Sequence, residues 1–86
     1  MTGEYQSKPT GETIVRLPGE VGSVIRQLRK KAGLSQAEAA SMCKVGTRFL
    51  SDLENGKDSI HLGKTMQVLR AFGLVMALKK KTLANE

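Results

Sequence analysis

The chain has 86 residues, one cysteine, 3% aromatic residues and a formal charge of +6, from 14 Lys and Arg against 8 Asp and Glu. That length allows one domain whose modest core buries only about 60% of the unfolded surface, and a lone Cys43 forbids an internal disulfide, so dimerisation is the expected source of further stability. The basic balance points to a polyanion, nucleic acid before an anionic membrane, while so few aromatics argue against the stacking platforms of single-strand and RNA binders.

Glu4, Lys8, Glu12 and Arg16 cancel, so all the excess charge lies between Glu20 and Glu86. Residues 1–12 are polar, rich in turn formers and without periodicity, and are expected to form a disordered arm with no signal-peptide character. The longest apolar run, Leu74 to Leu78, is far short of the roughly 18 residues of a membrane span, so a cytoplasmic location is expected. The domain itself is expected over 13–81, with a flexible tail at 82–86. Thr13-Ile-Val-Arg-Leu17 is β-prone and ends at Pro18, the pattern of an edge strand.

Pro18 suits the first turn of a helix. Val21, Val24, Ile25, Leu28 and Ala32 then recur at helical spacing as one apolar stripe, and Gly33 stops the helix. Ser35-Gln-Ala-Glu38 is a capping box, in which the Ser35 hydroxyl and the Glu38 carboxylate satisfy each other's backbone N–H groups. The helix it starts runs to about Cys43 with Ala39, Ala40 and Cys43 inward. Lys44-Val-Gly46 makes a tight turn, and a third helix reaches about Asn55 with Leu50 and Leu53 inward, ended by Asn55-Gly56. A fourth helix is expected from Leu62 to Phe72, with Leu62, Met66, Leu69 and Phe72 on its inner side and Gly73 closing it. Leu74 to Lys81 has helical propensity yet follows a glycine stop. Cys43 reads as a small core residue, and His61 as a helix cap or a solvated side chain, since no Cys or His partners it for a metal. No nucleophile–base pair, metal set or cofactor motif is present, which argues against an enzyme.

Two short helices joined by a three- to four-residue turn, the second carrying polar outward residues, make a helix-turn-helix over 35–55. The set Arg29, Gly33-Leu-Ser-Gln-Ala-Glu38, Ala40, Val45, Leu50-Ser51, Leu53-Glu-Asn-Gly-Lys57 resembles the lambda-repressor/Cro family, also called Xre-type, over about residues 20–73. The resemblance implies a mostly α domain of four to five helices. It also implies base contacts from Thr47, Arg48, Ser51 and Asp52 on the exposed first turns of the third helix. Arg48 is the leading candidate, because a bidentate arginine to guanine gives about 1–3 kcal/mol of discrimination; Asp52 either accepts from a cytosine amino group or tethers Arg48. Gln36, at a helix N-terminus where free N–H groups meet a phosphate, the Gly46 N–H, Asn55 and Lys57 are expected on the DNA backbone. Arg29 and Glu54 are implied to form a partly buried, structural ion pair.

Departures from the family pattern concern the core and the turn. Ala39 and Cys43 stand where a larger aliphatic is common, leaving space that Phe49 is placed to fill. Lys44 occupies the usual glycine of the turn and is expected at positive φ. Gly46 replaces a Ser or Thr cap. The layout Phe72-Gly-Leu-Val-Met-Ala-Leu-Lys79 resembles HipB-like antitoxins, in which this stretch is an edge strand paired across a dimer. Leu74, Val75, Met76, Ala77 and Leu78 are therefore expected to form a dimerisation strand over 74–79, with Lys79, Lys80 and Lys81 discouraging further pairing. The alternative is a short fifth helix packed on its own subunit. By resemblance the protein is a dimeric repressor of palindromic operator DNA that also binds a HipA-like kinase toxin. The alternatives are a stand-alone Xre-type regulator and a protein-interaction adaptor.

Overall fold

A computed structural model describes residues 11–81 as four helices: α1 (Pro18–Lys31), α2 (Gln36–Cys43), α3 (Thr47–Glu54) and α4 (Leu62–Ala71). Most of the expected arm and all of the expected tail lie outside the described residues. Each helix begins where the local chemistry stops the chain from being extended. Pro18 supplies the first turn of α1, and the Glu20 carboxylate reaches back to the Arg16 N–H and, at 3.0 Å, to the Leu17 N–H. The α2 capping box closes as expected, with Glu38 N–H to Ser35 Oγ at 3.0 Å and Ser35 N–H to Glu38 Oε1 at 2.8 Å. His61 caps α4 by accepting the Lys64 N–H on Nδ1 at 3.1 Å.

The four helices end alike. In each, the residue after the last turn adopts positive φ, and two backbone bonds close a Schellman motif. The pairs are Gly33 and Leu34 on Lys30 and Arg29, Lys44 and Val45 on Ser41 and Ala40, Gly56 and Lys57 on Leu53 and Asp52, and Gly73 and Leu74 on Arg70 and Leu69. Glycine fills three of these positions; Lys44, at φ 61°, is the non-glycine residue in the left-handed region, as its place in the turn predicts. Leu34, Val45 and Leu74, each just past its stop, fold back onto the core.

That core is Ile25, Ala39, Ala40, Cys43, Leu50, Leu53, Val68 and Leu69, with Val21, Val45, Phe49, Ile60 and Phe72 packed around it. Phe49 is half-buried against it. The helix faces depart from the expected stripes at two places. Ala32 is exposed, as the C-cap of α1. On α4 the buried residues are Thr65, Val68 and Leu69, whereas Leu62 and Met66 are exposed. This helix is apolar on two sides, and a single chain can cover only one.

The expected edge strand at 13–17 and the expected strand at 74–79 are both absent: among the described residues there is no strand, and 74–81 is not a fifth helix either. A ladder needs a second backbone in register, and among the described residues neither segment has one. The two segments instead come together, through a Lys79–Glu12 ion pair at 3.3 Å and the shared surroundings of Met76, Val15 and Leu17.

Gly22 is where α1 meets the end of α3. A Cβ there would lie 2.1 Å from the Leu53 carbonyl oxygen and 3.0 Å from the Glu54 Cα, while one on Gly19, a turn earlier, meets nothing within 4 Å. Gly22→Ala is therefore expected to cost about 1–3 kcal/mol by forcing the helices apart. Gly19→Ala is expected to be neutral or to stabilise by up to about 1 kcal/mol. Denaturant midpoints of the two variants check the pair.

Candidate nucleic-acid interface

The surface of interest is assembled from the bottom of the fold outward. Arg29 of α1 is buried and forks onto Glu54 at the end of α3, Nε to Oε2 at 2.7 Å and Nη2 to Oε1 at 3.0 Å, with side chains 10% and 2% exposed. Its remaining nitrogen, Nη1, donates to the Leu34 carbonyl at 2.9 Å, which holds the connection into α2. Gln36, in the first turn of α2, donates from Nε2 to Glu54 Oε1 at 3.1 Å. Four pieces of the helix-turn-helix scaffold thus converge on the Arg29–Glu54 pair: α1, the α1–α2 connection, the start of α2 and the end of α3. Burial alone would raise the Glu54 carboxyl. The hydrogen bonds from Arg29 and Gln36 and the charges of Arg29 and Arg26 outweigh it and hold the group below the ordinary carboxylate range. Correspondingly the bond to Glu54 raises Arg29.

On this scaffold α3 turns Leu50 and Leu53 inward and leaves Thr47 and Arg48 exposed, with Ser51 and Asp52 half-buried beside them. These four expected base-reading residues share the outward face of one helix. Gly46 is the exposed N-cap of that helix, in extended geometry and without a side-chain cap. Asn55 and Lys57 follow at the far end, both exposed. Asn55 Nδ2 lies 3.5 Å from Ser51 Oγ, and Lys57 Nζ pairs loosely with Asp52 Oδ2 at 3.6 Å. Of the two expectations for Asp52, the tether to Arg48 is replaced by this contact to Lys57. Gln36 stands at the N-terminus of α2 as expected, with its amide turned to Glu54 on one side.

Two structural residues were not singled out in the sequence. Gly22 carries no signal beyond being a glycine inside a helical pattern. Gln67 of α4 donates from Nε2 to the Cys43 carbonyl at 2.8 Å and the Lys44 carbonyl at 3.2 Å. Its position lies outside the apolar stripe assigned to the fourth helix, so periodicity passes over it. Cys43 is buried, and that burial raises its thiol above the ordinary range. Among the described residues there is no group of three or more His, Cys, Asp or Glu placed to hold a metal ion, and no helix is long and apolar enough to cross a membrane.

Comparison with known proteins agrees with this geometry. Residues 25–75 match the helix-turn-helix family model. The uncharacterized HTH-type transcriptional regulator y4mF of Sinorhizobium fredii is 41% identical over 59 residues, which span 69% of this chain and 78% of that protein. The chain therefore belongs to the Xre-like helix-turn-helix family of transcriptional regulators, whose members bind DNA and are not enzymes. Among solved structures, a HipA–HipB–O2–O3 complex matches with a TM-score of 0.72 and 21% identity, covering 83% of this chain and 100% of that one. A HipB–O4 20mer complex matches equally well, at 0.72 and 21% over the same shares. The fold is HipB-like.

The Arg29–Glu54 pair makes stability depend on pH. A carboxyl held below its unfolded value of 4.5 stabilises the fold above that pH and loses its contribution as pH falls through the folded value. The denaturant midpoint is expected to drop on acidification from about pH 6 to about pH 3, and to drop less in Glu54→Gln. Arg29→Ala, which strands the buried carboxylate, is expected to cost about 3–5 kcal/mol at neutral pH. A pH series of chemical denaturations checks both.

Proposed function

We propose that the protein is a dimeric, sequence-specific transcriptional repressor of the HipB type. The observation that carries the reading is the exposed polar face of α3, set on the buried Arg29–Glu54–Gln36 network. Thr47, Arg48, Ser51 and Asp52 read base edges in the major groove, with Arg48 as the main discriminator. Gln36, the Gly46 N–H, Asn55 and Lys57 hold phosphates and fix the register. Lys57 moves from Asp52 to a phosphate on binding, which frees the Asp52 carboxylate for a cytosine amino group.

The dimer forms through residues 74–78, where Leu74, Val75, Met76, Ala77 and Leu78 pair with their counterparts in a second copy. Its support is the exposure of the side chains after Leu74, with Val75 and Leu78 at 86% and 95%, together with the lack of a partner strand among the described residues. A two-fold dimer reads a palindrome with half-sites about one helical turn apart. By likeness to the HipB structures, one of which is a complex with HipA, the protein represses its own operon and binds a HipA-like kinase toxin. A stand-alone regulator is the reading that remains if no such kinase co-purifies from the native cell and no such gene lies beside this one.

DNA titrations with a duplex selected from a random pool test the reading face. Arg48→Ala is expected to relax preference at one base position at a cost of about 1–3 kcal/mol. Lys57→Ala is expected to weaken all sequences alike and to lower the log–log salt slope by about one. Equal effects from the two variants contradict the assignment, and a wild-type slope near zero contradicts DNA binding itself. For the dimer, sedimentation is expected to give two copies for the wild type and one for Val75→Asp with Leu78→Asp; a dimer that survives both charges places the interface elsewhere.

A further inference from the structure

The turn between α2 and α3 sets the angle at which the reading helix leaves the scaffold, and among the described residues it is the one helix stop built on a residue other than glycine. Its Schellman closure satisfies the Ala40 and Ser41 carbonyls through the Val45 and Lys44 N–H groups. Past Met42, the carbonyls on Cys43 and on the left-handed Lys44 are not taken by that closure. Both are taken by one side chain from a distant helix, Gln67 of α4, at 2.8 and 3.2 Å. Val68 and Leu69, the next residues of α4, are in the core, so Gln67 is anchored on a packed element while its amide grips the turn.

We propose that Gln67 is the positioning residue of the reading helix: it fixes the α2–α3 turn, and through it the aim of Thr47, Arg48 and Ser51, without touching DNA. The inference rests on the reading of α3 as the recognition helix. Base contacts tolerate little misplacement, because a supporting side chain must hold them to within about 0.5 Å and 10–20°. Of the phosphate contacts, Gln36, Asn55 and the flexible Lys57 lie outside this turn, and the Gly46 N–H alone moves with it. Loss of the grip therefore costs specific binding selectively, whereas simple loss of stability lowers the folded fraction and weakens every duplex by the same factor.

The experiment measures the ratio of affinities for a duplex selected by the wild-type protein and for a scrambled duplex at the same salt, in wild type, Gln67→Glu and Gln67→Ala. Gln67→Glu keeps the shape but replaces the donor with an acceptor facing two carbonyls. The ratio is expected to fall about tenfold or more in both variants, the scale of losing one base contact, with scrambled-duplex affinity within about twofold. Both affinities falling together, or an unchanged ratio, overturns the proposal. If the wild type itself shows no preference, the reading of α3 fails instead, and the two failures are distinct. Should either variant unfold, exchange of the Gln67 side-chain amide protons in the wild type decides: they are expected to exchange more slowly than those of the exposed Gln27, and equal rates overturn the assignment.

Discussion

A single buried carboxylate organises the molecule. Glu54 accepts two nitrogens of Arg29 and the amide of Gln36, and Arg29 spends its third nitrogen on the Leu34 carbonyl. A buried ion pair is not a cheap way to stabilise a fold, since desolvating both charges offsets much of their attraction, and an apolar pair of similar volume often does as well. What the pair provides here is direction. A guanidinium fork has one geometry on a carboxylate, so the end of α3, the end of α1 and the start of α2 are fixed relative to one another with little freedom. Gly22 complements it by letting the α1 and α3 backbones approach beside the pair.

From that constraint the outward face of α3 follows. With Leu50 and Leu53 in the core and Glu54 locked, the helix has no rotational freedom left, and Thr47, Arg48, Ser51 and Asp52 face outward. Helices of eight residues are too short to hold themselves in water. Both α2 and α3 have that length; α2 persists through its capping box, and both persist through their Schellman stops and their packing. The molecule divides its chemistry accordingly: polar residues on α3, and exposed apolar residues at 14–17, on one side of α4 and at 75–78.

Much of this was legible in the residues. The Ser35–Glu38 box, the glycine stops, the inward Leu50 and Leu53 and the strain at Lys44 each have a local cause, and local causes leave local signatures. The Arg29–Glu54 pair joins residues 25 positions apart and was available only through family resemblance. What periodicity misjudged is α4. Its residues carry apolar side chains on two faces, and no pattern within the helix tells which face its own chain will cover; Thr65 and Val68 are buried where Leu62 and Met66 were expected. The strands expected at 13–17 and 74–79 fail for the related reason that a strand is a property of a pair of backbones. Gln67 and Gly22 act through contacts to backbone atoms of other helices, and such contacts impose no spacing on the sequence.

In the proposed reading, DNA is met by the face of α3 and the N-terminus of α2. Amide chemical-shift mapping on the labelled protein, titrated with a duplex carrying its selected site, tests this most directly. The predicted result is a contiguous set of shifted amides at Gln36, Gly46 to Asp52, Asn55 and Lys57, with 14–17 and 75–78 undisturbed. Shifts centred on those apolar segments, or an unchanged α3, would contradict it.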